Sequence, residues 1–314
     1  MNIKKEKTKQ AIHGLVAIAI TPMTKELEID EDGLRSHLHF LVDNGINKKN
    51  GSVVVNGSTG ECAAMTLSER KKVAEIAIDA VGDIIPVIIG CNHTDVNQTI
   101  ELVKHAEDIG AAGVMILSPY YYTPPTDEAV IAFYRKISSE SSIGIMFYNN
   151  VGITDYDVPV SVMSTLADTT NVIGIKECTP YIPKMEQMVR LVGDRISVLN
   201  GQGEFFEPYA ALIGTNGFIS STTNFAPKLS VEMWEARSKG DFKKANEVRR
   251  KFAPYLDFIS REAAKGGEPK AVAIIKKATD LVGSHAGPGR IPILDLSKQD
   301  EENTKYVLSQ MKLI

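Results

Sequence analysis

One feature constrains this chain more than any other: an alternation of two patterns. Eight short apolar runs are separated by stretches of helical periodicity across about 230 residues, the length of a closed parallel barrel. The runs are 13–21, 52–55, 86–91, 113–119, 143–149, 172–176, 196–199 and 217–221. They lack the polar alternation of a half-exposed strand. They therefore predict strands buried on both faces, as in a parallel sheet covered by helices. Helices are expected between them, ending with 204–213 after the seventh run and 227–238 after the eighth. Asp30 to Asp32, the capping-box pattern Thr66 to Glu69, and Thr94 or Asp95 mark helix starts. The fold class predicted is α/β, a TIM (β/α)8 barrel. An open doubly wound sheet normally carries a glycine-rich first turn, and Thr21-Pro22-Met23-Thr24 is not one.

The strand signal stops after Gly240. Helices are expected at 241–265, 269–281 and 298–311. The domain reading is a solvated tail over 1–12, a barrel over 13–240 and a C-terminal helical appendage over 241–314 packed on the barrel. The tail is rich in lysine with no apolar run behind it, so it does not read as a signal peptide. No apolar window reaches the roughly 18 residues of a membrane helix. Lys and Arg total 35 against 39 Asp and Glu, without a basic block interleaved with aromatics, so nucleic acid is not an expected partner. Cys62, Cys91 and Cys178 are odd in number and widely spaced. They read as reduced thiols of a cytoplasmic protein.

In a parallel barrel the strand ends meet at one mouth, and chemistry gathers there. The sixth run ends in Lys176. An unpaired ammonium is costly to bury, so burial is expected to favour its neutral amine, the form that attacks carbonyls. The alternative is a pairing of Lys176 with Glu177 or another acid at the rim. Other strand ends supply Gly57-Ser58-Thr59-Gly60-Glu61, Tyr120-Tyr121, Tyr148-Asn149, Asn200-Gly201 and Ser220-Ser221. One lysine, several tyrosines and hydroxyls, and no histidine make a poor metal site, so none is expected. They suit carbonyl chemistry: a lysine nucleophile, a tyrosine to move protons, and backbone N–H groups of a tight turn to receive a carboxylate. Glu61 is expected to pin its loop and Cys178 to be a bystander.

Gly57-Ser58-Thr59-Gly60-Glu61, Ser118-Pro119-Tyr120-Tyr121, Phe147-Tyr148-Asn149 and Gly174-Ile175-Lys176-Glu177 occur in this order at the right strands. Together they resemble the dihydrodipicolinate synthase/N-acetylneuraminate lyase family of Schiff-base-forming lyases, from about Gly14 to the C-terminus. The resemblance implies an imine between Lys176 and a 2-oxo acid, with no other cofactor. It implies Tyr148 as general acid/base, and Ser58 and Thr59 as carboxylate holders and proton relay. It also implies a Tyr121 inserted into a neighbouring subunit's site, and an Ile219 whose carbonyl faces the lysine. A homodimer or homotetramer is implied too. Gly57, Gly201, Ser220 and Ser221 complete the expected substrate-binding set.

The departures bear on the substrate. Synthases of the family carry an arginine that grips the carboxylate of aspartate semialdehyde; here Ile153 stands in its place and cannot make that contact. Ser58 replaces their usual threonine, as in N-acetylneuraminate lyases. Gly201-Gln202-Gly203-Glu204 lacks the aspartate of the latter's sugar-binding segment. The stretch 284–296 and residues 220–228 are similar to 5-dehydro-4-deoxyglucarate dehydratases. The expected function is a Schiff-base aldolase or sugar-acid dehydratase acting on a 2-oxo acid. The alternatives are a genuine 4-hydroxy-tetrahydrodipicolinate synthase and a catalytically silent 2-oxo-acid-binding scaffold or sensor.

Overall fold

The computed structural model describes residues 8–314. Eight parallel strands close into a barrel in chain order: β1 Gly14–Ile18, β2 Gly51–Val55, β3 Val87–Gly90, β4 Gly113–Leu117, β5 Ile145–Asn149, β6 Val172–Glu177, β7 Ser197–Asn200 and β8 Gly217–Ser220, which pairs back onto β1. Every residue of these strands is buried, as continuous apolar runs require. The helices around them are α1 Glu31–Asp43, α2 Leu67–Val81, α3 Val96–Asp108, α4 Asp127–Glu140, α5 Val151–Thr154, α6 Val160–Thr169, α7 Ile182–Val192, α8 Tyr209–Leu212 and α9 Pro227–Ser238. Two more, α10 Phe242–Leu281 and α11 Lys298–Gln310, follow the barrel.

Local chemistry sets the helix starts. The Asp30 carboxylate accepts from the Gly33 N–H at 2.8 Å. The Thr66 hydroxyl accepts from Glu69 N at 3.3 Å while the Glu69 carboxylate accepts from Thr66 N at 2.8 Å, a complete capping box.

Three segments differ from expectation. The expected tail is ordered from residue 8. Residues 8–11 make a helical turn, the Thr8 hydroxyl donates to Ala112 O at 2.6 Å, and Ile12 packs inside the barrel with Val16, Val54 and Ile88. Apolar Ala11 and Ile12 close the barrel's lower end, a role the lysine-rich stretch before them hides. Residues 1–7 of that expected tail lie outside the described residues. The helix expected over 204–213 is a 3-10 turn at Gly203–Phe205 followed by the single turn α8. Pro208 has no N–H to donate, and the buried side chains of Glu204 and Glu207 are drawn toward Ser220 and Arg237. The short α5 was not expected. It starts where the Asn150 side chain accepts from Gly152 N at 3.1 Å.

The long helix α10 is broken at Gly267, where φ is 65° and ψ −161°. Only glycine visits that region readily. Pro269 then disfavours a helical Glu268 and starts the next helical segment itself. The break separates the two helices expected there. The first half packs on α9 and the barrel, with Tyr255 against Phe225 at 4.8 Å between ring centroids.

Candidate active site

Strand register brings the chemistry together. Leu117, Tyr148, Lys176 and Leu199 are successive partners across β4, β5, β6 and β7. Partners in one row of a parallel sheet face the same way, here into the barrel. Lys176 Nζ lies 3.9 Å from the centroid of the Tyr148 ring, and both side chains are buried. The next row, Asn149, Glu177 and Asn200, faces the helices. There Asn149 Nδ2 donates to Glu177 Oε1 at 2.7 Å and to Asp157 Oδ1 at 2.8 Å, and Lys184 Nζ lies 3.3 Å from Glu177 Oε2. Glu177 is therefore the partner of Lys184, and Lys176 has no rim acid beside it on its own strand.

The protonation state corrects one expectation. Burial does push the Lys176 ammonium toward losing its proton. The neighbouring Tyr148, Cys178 and Glu268 push harder the other way, and its pKa lies above the ordinary lysine value. Burial raises the Tyr148 phenol as well, against the pull of Lys176. With Nζ over the ring face, an ammonium at Lys176 makes a favourable cation–π contact with Tyr148. The Tyr148 hydroxyl accepts from Asn150 Nδ2 at 2.9 Å.

The loop after β2 is held from below. Gly60 N donates to Gly57 O and Glu61 N to Ser58 O, each at 3.0 Å, and Glu61 sits at φ 59°. Its carboxylate accepts from Lys276 Nζ at 2.5 Å and from Arg290 N at 2.8 Å. Lys276 Nζ also donates to Thr21 O at 3.0 Å. Glu61 is fully occupied in pinning the loop to α10 and to the segment carrying Arg290. The Arg290 guanidinium continues the clamp, donating to Leu27 O, Ala64 O and the Glu69 carboxylate.

The mouth holds two adjoining hollows. One, about 280 Å³, is lined by Lys176, Tyr148, Thr59, Gly201, Ile219 and Ser221 among others. The second, about 530 Å³, is lined by Ser58, Tyr120, Ile153 and Asn92 among others. A cavity of about 540 Å³ opens at the other end of the barrel around Ala11, Pro86 and Ala112, away from Lys176.

Not every expected residue is brought in. Gly57 shapes the turn but lines neither hollow. Tyr121 is 73% exposed, in edge contact with Tyr122, and does not enter this chain's own mouth. Ser220 points away. Its hydroxyl donates to Glu204 Oε1 at 2.7 Å, in a buried cluster with Thr222 and Ser230. Alternation along β8 turns Ile219 inward and Ser220 outward, which removes Ser220 from the substrate-binding set. Cys178 lines the wall, and burial holds its thiol at about 12, far from a reactive thiolate.

Other lining residues lie outside the expected set, among them Asn150, Gln202, Thr222 and Glu268. Glu268 lines both hollows and lies 92 positions beyond Lys176. Among the described residues no group of three or more His, Cys, Asp or Glu could hold a metal ion, and no helix is long and apolar enough to cross a membrane.

Comparison with known proteins follows this geometry. A family model described as the dihydrodipicolinate synthetase family matches residues 11–311. A protein of Methanospirillum hungatei named 4-hydroxy-tetrahydrodipicolinate synthase is 32% identical over 300 residues, covering 95% of this chain and 98% of the relative. Among solved structures, YagE, a prophage protein of the dihydrodipicolinic acid synthase family from E. coli K12 in complex with pyruvate, superimposes with a TM-score of 0.88 at 28% identity, covering 96% of this chain and 99% of that one. A structure described as the first monomeric dihydrodipicolinate synthase variant superimposes at 0.87 with 29% identity, covering 97% and 98%.

Proposed function

The chain belongs to the dihydrodipicolinate synthetase family, whose enzymes work through a lysine imine, and on that premise we propose that Lys176 is the residue that condenses with the ketone of a pyruvate-type 2-oxo acid. The observation that carries this is the placement of Lys176 Nζ 3.9 Å from the Tyr148 ring at the mouth. The ammonium first gives up a proton. The free amine then adds to the C2 carbonyl, and loss of water from the carbinolamine leaves the imine, which serves as electron sink for the next step. Tyr148 moves protons to and from the leaving water. Ser58 and Thr59 edge the two hollows from a turn whose N–H groups suit the substrate carboxylate.

The test is incubation with pyruvate, borohydride reduction and intact mass, with Lys176→Ala as control. A gain of one reduced pyruvate in the wild type alone supports the reading; no adduct with any 2-oxo acid refutes it.

The next step is aldol condensation, aldol cleavage or dehydration. The names of the curated relatives favour condensation to 4-hydroxy-tetrahydrodipicolinate over the sugar-acid expectation. Ile153, where that reaction needs a carboxylate grip, supports the sugar-acid reading. Three free cysteines fit a cytoplasmic enzyme. Exposed Tyr121 and Tyr122 fit a homodimer or a homotetramer.

A further inference from the structure

The break in α10 has a product: it delivers an acid to the mouth. Gly266 and Gly267 end one helical segment, Pro269 begins the next, and Glu268 between them lines both hollows. On one side it acts on Lys176, on Tyr148 and on Cys178; on the other it is near enough to Ser58 for that hydroxyl to act on its carboxyl. Burial pushes the Glu268 carboxyl up, while Lys176 and Ser58 pull it back.

The other acids of the mouth are engaged. Glu204 accepts from the Ser220 and Ser230 hydroxyls, each at 2.7 Å, and Glu61 is paired with Lys276. The cation that acts on the Glu268 carboxyl is Lys176, whose nitrogen the proposed imine takes up. The wall of the second hollow includes apolar Ile153, Val272 and Ile293 beside polar Ser58, Asn92 and Thr94. Arg70 borders it; its terminal nitrogens donate to Asn92 O at 2.6 Å and Gly90 O at 2.9 Å, and its Nε is buried without a partner. His93, also in that wall, has its pKa lowered by burial, with Arg70 adding to the effect.

We infer that Glu268 selects the second half of the substrate: its carboxylate accepts hydrogen bonds from hydroxyl groups on the chain beyond the imine carbon and turns away a second carboxylate there. The favoured substrate class is a 3-deoxy-2-oxo sugar monoacid, hydroxylated and uncharged at its far end. The chemistry follows from the donor inventory. An ionised carboxylate only accepts, so a hydroxyl satisfies it and another carboxylate cannot. This inference rests on the proposed imine at Lys176.

The experiment compares two consumptions by mass spectrometry in the wild type and in Glu268→Gln. One is 2-oxo-3-deoxygluconate alone, whose loss reads cleavage and dehydration alike. The other is aspartate semialdehyde in the presence of pyruvate. Borohydride trapping of pyruvate is run on both proteins. The wild type should prefer the sugar acid, and Glu268→Gln should shrink that preference in kcat/KM by about 10- to 100-fold. A wild type that prefers aspartate semialdehyde overturns the inference. So does a preference unchanged in Glu268→Gln while pyruvate is still trapped. Absence of trapping in the wild type overturns the imine reading, and the inference with it, in a way the other outcomes do not.

Discussion

Lys276, a buried residue of α10, holds the Glu61 carboxylate at 2.5 Å and so ties the C-terminal helices to the loop that carries Ser58 and Thr59. Removing one member of a buried pair strands the other charge. Lys276→Met should therefore cost about 3–5 kcal/mol in urea unfolding, and Glu61→Gln combined with Lys276→Met should recover much of it. A single mutant as stable as the wild type would show that the pair does not anchor the loop.

Tyr148 presents both its ring to Lys176 and its hydroxyl to Asn150. Tyr148→Phe keeps the first and removes the second. Turnover should fall about 10²- to 10⁴-fold, the range for loss of a general acid/base, while borohydride still labels Lys176 after long incubation with pyruvate. Undiminished turnover would move the proton transfer to another group.

Ser220 is expected to matter for stability alone. Ser220→Ala deprives the buried Glu204 carboxylate of a donor, at a cost of about 1–3 kcal/mol. KM for the 2-oxo acid should not change. A raised KM at unchanged stability would return this hydroxyl to the substrate.

Arg290 donates to Glu69 at 2.6 Å and, against an opposing effect of burial, holds that carboxyl at about 2 instead of 4.5. A carboxyl more acidic in the folded state stabilises it above the unfolded pKa and loses that contribution as the pH falls toward the folded one. The stability gap between wild type and Glu69→Gln should thus be full at neutral pH and close from about pH 4.5 downward. Urea titrations across that interval read it directly, and a gap constant with pH would exclude the clamp.

The barrel was legible because eight runs such as 172–176 and 113–119 are too apolar to face water on either side. Lys176 and Tyr148 were legible because each ends such a run, and parallel register then makes neighbours of them. Ser220 was misjudged for a reason of parity: proximity to a strand end says nothing about which face a side chain takes until the register is known. The charge of Lys176 was misjudged because burial was weighed without Tyr148, the neighbour that opposes it most, without Cys178, and without Glu268, whose smaller effect depends on how α10 folds back. The only local sign of that acid was the run Gly266-Gly267-Glu268-Pro269, read as a gap between helices. Ala11 and Ile12 were hidden in the same way, a short apolar pair behind a charged stretch.

The interruption at Gly267 divides labour along the chain. The proposed bond-making groups, Lys176 and Tyr148, belong to the strands, where a change of one residue disturbs register and core. Glu268, the acid proposed to face the far end of the substrate, lies outside the barrel in the four-residue run Gly266-Gly267-Glu268-Pro269. Substitutions there touch no strand pairing, so under the proposed role of Glu268 the choice of substrate would be retuned without rebuilding the reaction centre.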